Sequence, residues 1–123
     1  MSNTCFGPRS ALVKGGSWKS GSCRTSLNLQ EDGNLVVYVD GEAKWQAKGA
    51  WPNGDYLIMQ EDGNFVLYDK NGKPIWSSDT AKDTGENRGS RVCVQDDGNV
   101  VIYRPDGTPI WQTDTATPIN TES

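Results

Sequence analysis

Apolar and polar residues alternate in three paired runs along this chain, each pair joined by the same kind of turn. The pairs read "LNLQEDGNLVVY" (27–38), "LIMQEDGNFVLY" (57–68) and "VCVQDDGNVVIY" (92–103). A period of two over four or five residues is a strand pattern, and a three-residue loop ending in glycine predicts a hairpin. Gly33, Gly63 and Gly98 take the last loop position, where the backbone must turn left-handed. Pairing across the first loop sets Gln30 opposite Asn34, Leu29 opposite Leu35, Asn28 opposite Val36 and Leu27 opposite Val37. One face then collects Leu27, Leu29, Leu35 and Val37; in the second pair Leu57, Met59, Phe65 and Leu67; in the third Val92, Val94, Val100 and Ile102. All twelve are apolar, so this face is the core.

The opposite face carries a repeated polar set. It comprises Gln30, Asp32, Asn34, Val36 and Tyr38, then Gln60, Asp62, Asn64, Val66 and Tyr68, then Gln95, Asp97, Asn99, Val101 and Tyr103. The motifs begin 30 and then 35 residues apart, and a tryptophan follows each Gln by 15, 16 and 16 residues: Trp45, Trp76 and Trp111. "GKPIWSSDTA" and "GTPIWQTDTA" match closely, while "GEAKWQAKGA" is the divergent first copy. Repetition on this scale predicts three supersecondary units around one core, each tryptophan on a short strand that packs inward. Trp18 and Trp51 fall outside the repeat and receive no assignment. No stretch has helical amphipathicity of useful length.

Composition narrows the class. With 123 residues, 34% hydrophobic, 14 glycines and 5 tryptophans, the chain reads as one turn-rich all-β domain spanning 1–123. A net charge of −4 without a basic run leaves nucleic acid no electrostatic footprint. No stretch approaches the ~20 apolar residues of a membrane span. The opening "MSNTCFGPRSALVKGG" lacks the apolar run of a secretory signal. The expectation is a leaderless protein, cytoplasmic or non-classically released, or an extracellular one whose signal was trimmed. Cys5, Cys23 and Cys93 are odd in number, so a monomer keeps at least one thiol. Cys5 and Cys23 are the only pair near in sequence, and free thiols and a bridge both stay open.

The polar cluster suits a polyol. Asp accepts hydrogen bonds, Asn and Gln donate and accept, and the Tyr hydroxyl does either. Vicinal sugar hydroxyls need that mixture, and Val offers an apolar spot for the C–H face of a pyranose ring. Catalysis fits poorly. There is no histidine, and the adjacent acids of "ED" and "DD" point apart on a strand or turn rather than flanking one bond. Glu31 reads as a solvated loop residue. "DKNGKP" at Asp69 begins like a calcium loop but lacks the later acidic ligands, so it reads as a hairpin turn. The chain is therefore expected to be no enzyme, and to need neither cofactor nor metal.

"QEDGNLVVY", "QEDGNFVLY" and "QDDGNVVIY" match the Gln-x-Asp-x-Asn-x-Val-x-Tyr signature of the snowdrop-type (monocot bulb) mannose-binding lectins. The chain resembles that family from roughly Ala11 to Ala116. The resemblance implies a β-prism II fold, with three four-stranded antiparallel sheets about a pseudo-three-fold axis. It implies that Asp and Asn of each motif take the 2-hydroxyl of mannose, Gln the 3-hydroxyl and Tyr the 4-hydroxyl, while Val packs on the ring carbons, without metal. Mannose-containing glycans and glycoproteins are then the expected partners. Members commonly hold one disulfide within the fold; this chain departs from that pattern, since Cys93 lies in the third hairpin at the position of Asn28 and Ile58. Members also commonly dimerise by exchanging the C-terminal strand, here around Ile110–Thr115; the alternative is a strand folded back on its own sheet. A competing use of the same fold is a protein- or membrane-targeting toxin or defence module, which would not need three intact polar clusters.

Two further expectations concern the rim. Ser26, Tyr56 and Arg91 should face the three motif tyrosines, and Asn28, Ile58 and Cys93 the three valines, giving sites of unequal affinity. Because Asn34, Asn64 and Asn99 point outward, replacing any of them by Ala should leave stability nearly unchanged.

Overall fold

The computed structural model describes residues 2–117, and every regular element in it is a β-strand. In chain order they are β1 (Thr4–Phe6), β2 (Ala11–Val13), β3 (Ser17–Lys19), β4 (Thr25–Leu29), β5 (Leu35–Val39), β6 (Glu42–Gln46), β7 (Tyr56–Met59), β8 (Phe65–Tyr68), β9 (Pro74–Ser77), β10 (Arg91–Val94), β11 (Val100–Tyr103) and β12 (Pro109–Gln112). Three antiparallel four-stranded sheets result, ordered β3-β4-β5-β6, β2-β7-β8-β9 and β1-β10-β11-β12. The hairpin registers are those expected from the alternation: Leu27 pairs Val37, Leu57 pairs Leu67, and Val92 pairs Ile102. No helix among the described residues is long and apolar enough to cross a membrane.

The fourth strand of each sheet comes from the N-terminal segment, in reverse order. β3 joins the first hairpin, β2 the second and β1 the third. Each is three residues long, too short for alternation to register. Trp18 thereby gains its role. It is buried on β3, stacked between Phe6 at 4.1 Å and Phe65 at 6.2 Å between ring centroids.

All twelve residues assigned to the core are buried, in a single cluster. At one end Trp45, Trp76 and Trp111 meet edge to face, with centroids 5.5 to 5.7 Å apart, a favoured aromatic geometry. A bulge precedes each of them. The register shifts between Val37 and Tyr38, Leu67 and Tyr68, and Ile102 and Tyr103. Lys44, Ile75 and Ile110 become the extra residues, and the strand bends so that the ring behind each reaches the axis.

Cys5 and Cys93 stand opposite one another on β1 and β10 and form a disulfide, while Cys23 is a free, exposed thiol. Proximity in sequence singles out Cys5 and Cys23 and leaves free thiols equally open. Strand pairing across 88 residues decided otherwise. β12 pairs with β11 of its own chain; the tail 118–123 lies outside the described residues.

Candidate functional site

Each hairpin turn is built by its own motif. The motif Asp carboxylate accepts from the backbone N–H of the motif Asn at 2.9 Å in all three units. The loop glycines have φ of 86°, 95° and 98° at Gly33, Gly63 and Gly98. Any side chain there would collide with backbone of the next loop, at Pro52, Asn87 and Thr115 respectively. Asp and Gly are thus accounted for by the turn alone.

Gln, Asn, Val and Tyr are brought together beside it. The Gln amide and Tyr hydroxyl lie 2.6, 2.5 and 2.5 Å apart in the three units. In the third, the amide satisfies its neighbours when Tyr103 donates to Gln95 Oε1 and Gln95 Nε2 donates to both Asp97 oxygens at 3.2 Å. Orienting amides by their partners is the rule for such groups. The bond spans a strand pair and holds two otherwise mobile side chains in one geometry. Val36, Val66 and Val101 form the floor, each only 4% exposed. They sit on the outward face but under a rim of polar groups, leaving a small apolar patch.

The rows across the sheets show how the three clusters differ. The row through each valine reads Ser17, Asn28, Val36, Gln46 in the first sheet. It reads Ala11, Ile58, Val66, Ser77 in the second and Cys5, Cys93, Val101, Gln112 in the third. Ser26, Tyr56 and Arg91 do face the tyrosines, and the Arg91 guanidinium lies 5.7 Å from the Tyr103 ring centre. Gln46 and Gln112 accept from the amide nitrogens of Asn34 and Asn99 at 2.9 and 2.6 Å. Ser77 takes that place beside Asn64. These glutamines were missed as site residues; their only signal was the shared "WQ" after the repeat.

The flanking "SSDT" and "TDT" stretches hold the asparagines. Asn64 Oδ1 accepts from the backbone of Phe65 and Thr80 and from the Ser78 hydroxyl. Asn99 Oδ1 does the same with Val100, Thr115 and Thr113. Thr80 and Thr115 in turn donate to the carbonyls of Gly63 and Gly98, closing loop onto turn. In the first unit Ala47 and Gly49 replace these residues, and among the described residues Asn34 Oδ1 accepts from Leu35 alone. The expectation that all three asparagines could be lost without effect on stability is therefore corrected. Asn64 and Asn99 each tie two backbone N–H groups, and Asn99 is 6% exposed.

The acid after each Gln has three different fates. Glu31 is exposed, Glu61 pairs with Arg9 at 3.0 Å, and Asp96 is buried. The hydroxyls of Ser20 and Ser22 and the backbone N–H of Ser2 hold the Asp96 carboxyl well below the usual carboxylate range. A depressed folded value adds stability above the unfolded pKa of about 4, which disappears as pH falls from there toward 2 and below. Thermal melts across that range should therefore show an acid-induced loss that Asp96→Asn flattens; parallel curves would exclude Asp96 as its source.

No three His, Cys, Asp or Glu side chains among the described residues converge as metal ligands. Two open depressions adjoin the first cluster. One, of about 420 Å³, is lined by Gln30, Asn34, Val36, Tyr38 and residues 43–46. The other, of about 440 Å³, lies on the far side of Gln30 and Tyr38.

No protein-family model matches the chain. Over 48 residues it is 42% identical to a mannose-specific lectin of Dendrobium findlayanum, a stretch covering 38% of this chain and 29% of that protein, under a third of its length. Solved structures match throughout. A monomeric monocot mannose-binding lectin from Gastrodia elata superposes with a TM-score of 0.77 at 32% identity, covering 94% of this chain and 98% of that one. The snowdrop (Galanthus nivalis) bulb agglutinin, complexed with methyl-α-D-mannoside, gives 0.70 at 35% identity over 93% and 98%. The three-sheet prism is the β-prism II fold of these proteins, and the chain belongs to the family of snowdrop-type monocot mannose-binding lectins.

Proposed function

We propose that the protein is a carbohydrate-binding lectin that takes α-mannosides, without metal, at three sites: Gln30–Tyr38, Gln60–Tyr68 and Gln95–Tyr103. The observation that carries this reading is the same Gln, Asp, Asn, Val and Tyr on the outward face of every sheet, joined by the same Gln–Tyr bond. Folding uses Asp, Gly and part of Asn; it does not require Gln and Tyr to meet over a valine floor. The mannoside-bound snowdrop structure supports the ligand class. In this reading the carboxylate and amides take the 2- and 3-hydroxyls, Tyr the 4-hydroxyl, and Val the ring carbons. Neutral amides and a single carboxylate per cluster suit a neutral polyol rather than a cation.

Calorimetry with methyl α-mannoside, glucose and galactose tests it. Mannoside binding should be selective and unchanged by EDTA. Tyr38→Phe should weaken the first site by about 1 kcal/mol, one hydrogen bond's worth, and leave the other two alone. Galactose preference, or binding abolished by EDTA, would overturn the assignment.

Assembly is a separate part of the proposal. Exchange of β12 between two copies would restore the Ile102–Trp111 and Val101–Gln112 pairings in trans and give a homodimer. Multivalency then lifts the avidity of shallow sites. Light scattering at roughly tens of micromolar should give twice the chain mass. A single chain mass would remove strand exchange and leave the sugar sites intact.

A further inference from the structure

The second depression at the first site has a cause visible by comparing two units. Ahead of β3, Gly15 N–H donates to the Leu29 carbonyl at 2.7 Å, and Leu29 N–H to Gly16 at 3.0 Å. Ahead of β2, Arg9 N–H donates to Met59 at 2.7 Å, and Met59 N–H to Ser10 at 3.0 Å. Gly15 and Arg9 are thus equivalent, and both are left-handed, with φ of 91° and 72°. At the second site the Arg9 side chain crosses to Glu61. At the first, glycine sends no side chain across, and the Glu31 carboxylate lies so close over Gly15 that a Cβ, 2.5 Å from it, would force it to move. At the third site the corresponding acid, Asp96, is bound by Ser22 and Ser2.

Resting on the mannoside reading above, the geometry points to a second sugar subsite at the first motif alone. Its walls are Glu31, Asn28 and Ser17, its floor Gly15 and Gly16, and it shares Gln30 and Tyr38 with the primary site. Asn28 Nδ2 is engaged with Ser26 at 2.9 Å, which turns its carbonyl oxygen into the acceptor on offer. Glu31 supplies a carboxylate able to accept from two vicinal hydroxyls, and Ser17 a hydroxyl on the neighbouring strand. Ile58 and Ala11 stand in this row at the second site, and the Cys5–Cys93 bridge at the third. Neither pair offers a polar side chain on that side of the valine. The first site therefore reads a disaccharide where its sisters read one ring.

Titration followed by NMR resolves the sites through the amide signals of Asn34, Asn64 and Asn99. Methyl α-mannoside would be compared with α-1,2-, α-1,3- and α-1,6-linked dimannosides. At least one dimannoside should bind about tenfold tighter than the monosaccharide at Asn34, as expected for two or three added hydrogen bonds, with no comparable gain at the other sites. Gly15→Arg, which supplies the side chain already tolerated at Arg9, should abolish that gain and leave the monosaccharide unaffected. Asn28→Ile should also abolish the gain of dimannoside over monosaccharide, without touching the turn. Equal ratios at all three sites, or a gain that survives both substitutions, would overturn the subsite while the mannoside reading stands. Absence of any monosaccharide response would overturn both.

Discussion

Trp76→Ala is expected to destabilise the protein by about 3 kcal/mol, the low end for a large aromatic lost from a core because the ring is only half-buried. Trp76 touches Trp45, Trp111 and Phe65, so its removal opens the point where all three sheets converge. Among the aromatic rings of the described residues, Trp111 meets the two other members of the triad, one ring fewer than Trp76, and Trp111→Ala should cost less. Ending the chain before Pro109 should do more than either. It removes the ring, an entire sheet edge, and the Thr113 and Thr115 bonds that close the third turn. Urea unfolding of the two point variants checks the ranking. Equal and small losses would show that the triad contributes little beyond filling space.

Loss of the Cys5–Cys93 bridge should lower stability by about 2–4 kcal/mol, equivalent to a fall in melting temperature on the order of 10 °C. The bridge closes a separation of 88 residues, so it restricts the unfolded chain strongly. It also fastens β1, which is too short to hold its sheet edge by pairing alone and is otherwise retained by Phe6 on Trp18 and by the Asp96 contacts. Paired Cys5→Ser and Cys93→Ser variants should melt early with or without reductant, whereas Cys23→Ser should behave like the native chain. An unchanged melting temperature in the paired variant would mean that β1 is held by its packing alone.

The hairpins, their registers, the twelve core residues and the three outward clusters were all legible in the sequence. Period-two alternation and a glycine loop constrain register so tightly that shifting Leu35 by one residue would expose it together with its whole face. The triple repetition of Gln, Asn, Val and Tyr told which outward residues to watch. Glu31 could be read as solvated because nothing in the turn required it.

Other features depended on partners remote in the chain. Gln46 and Gln112 become site neighbours only because β6 and β12 lie beside the motif strands. Asn99 became structural as well as outward because Thr113 and Thr115 return to it across the loop. The lysine at 44 and the isoleucines at 75 and 110 look like ordinary strand residues, and only pairing reveals them as bulges.

By itself the sequence determined what is local: alternation, turn chemistry and the identity of the repeated side chains, since each depends on neighbours within about ten residues. The tertiary structure alone decided which three-residue strand completes which sheet. That choice pairs Cys93 with Cys5, buries Asp96, sends Arg9 across to Glu61, and sets Gly15 against Glu31. The reason is physical. A three-residue strand carries too little pattern to specify its partner, so its place is set by the sheet edges that the longer hairpins leave unpaired.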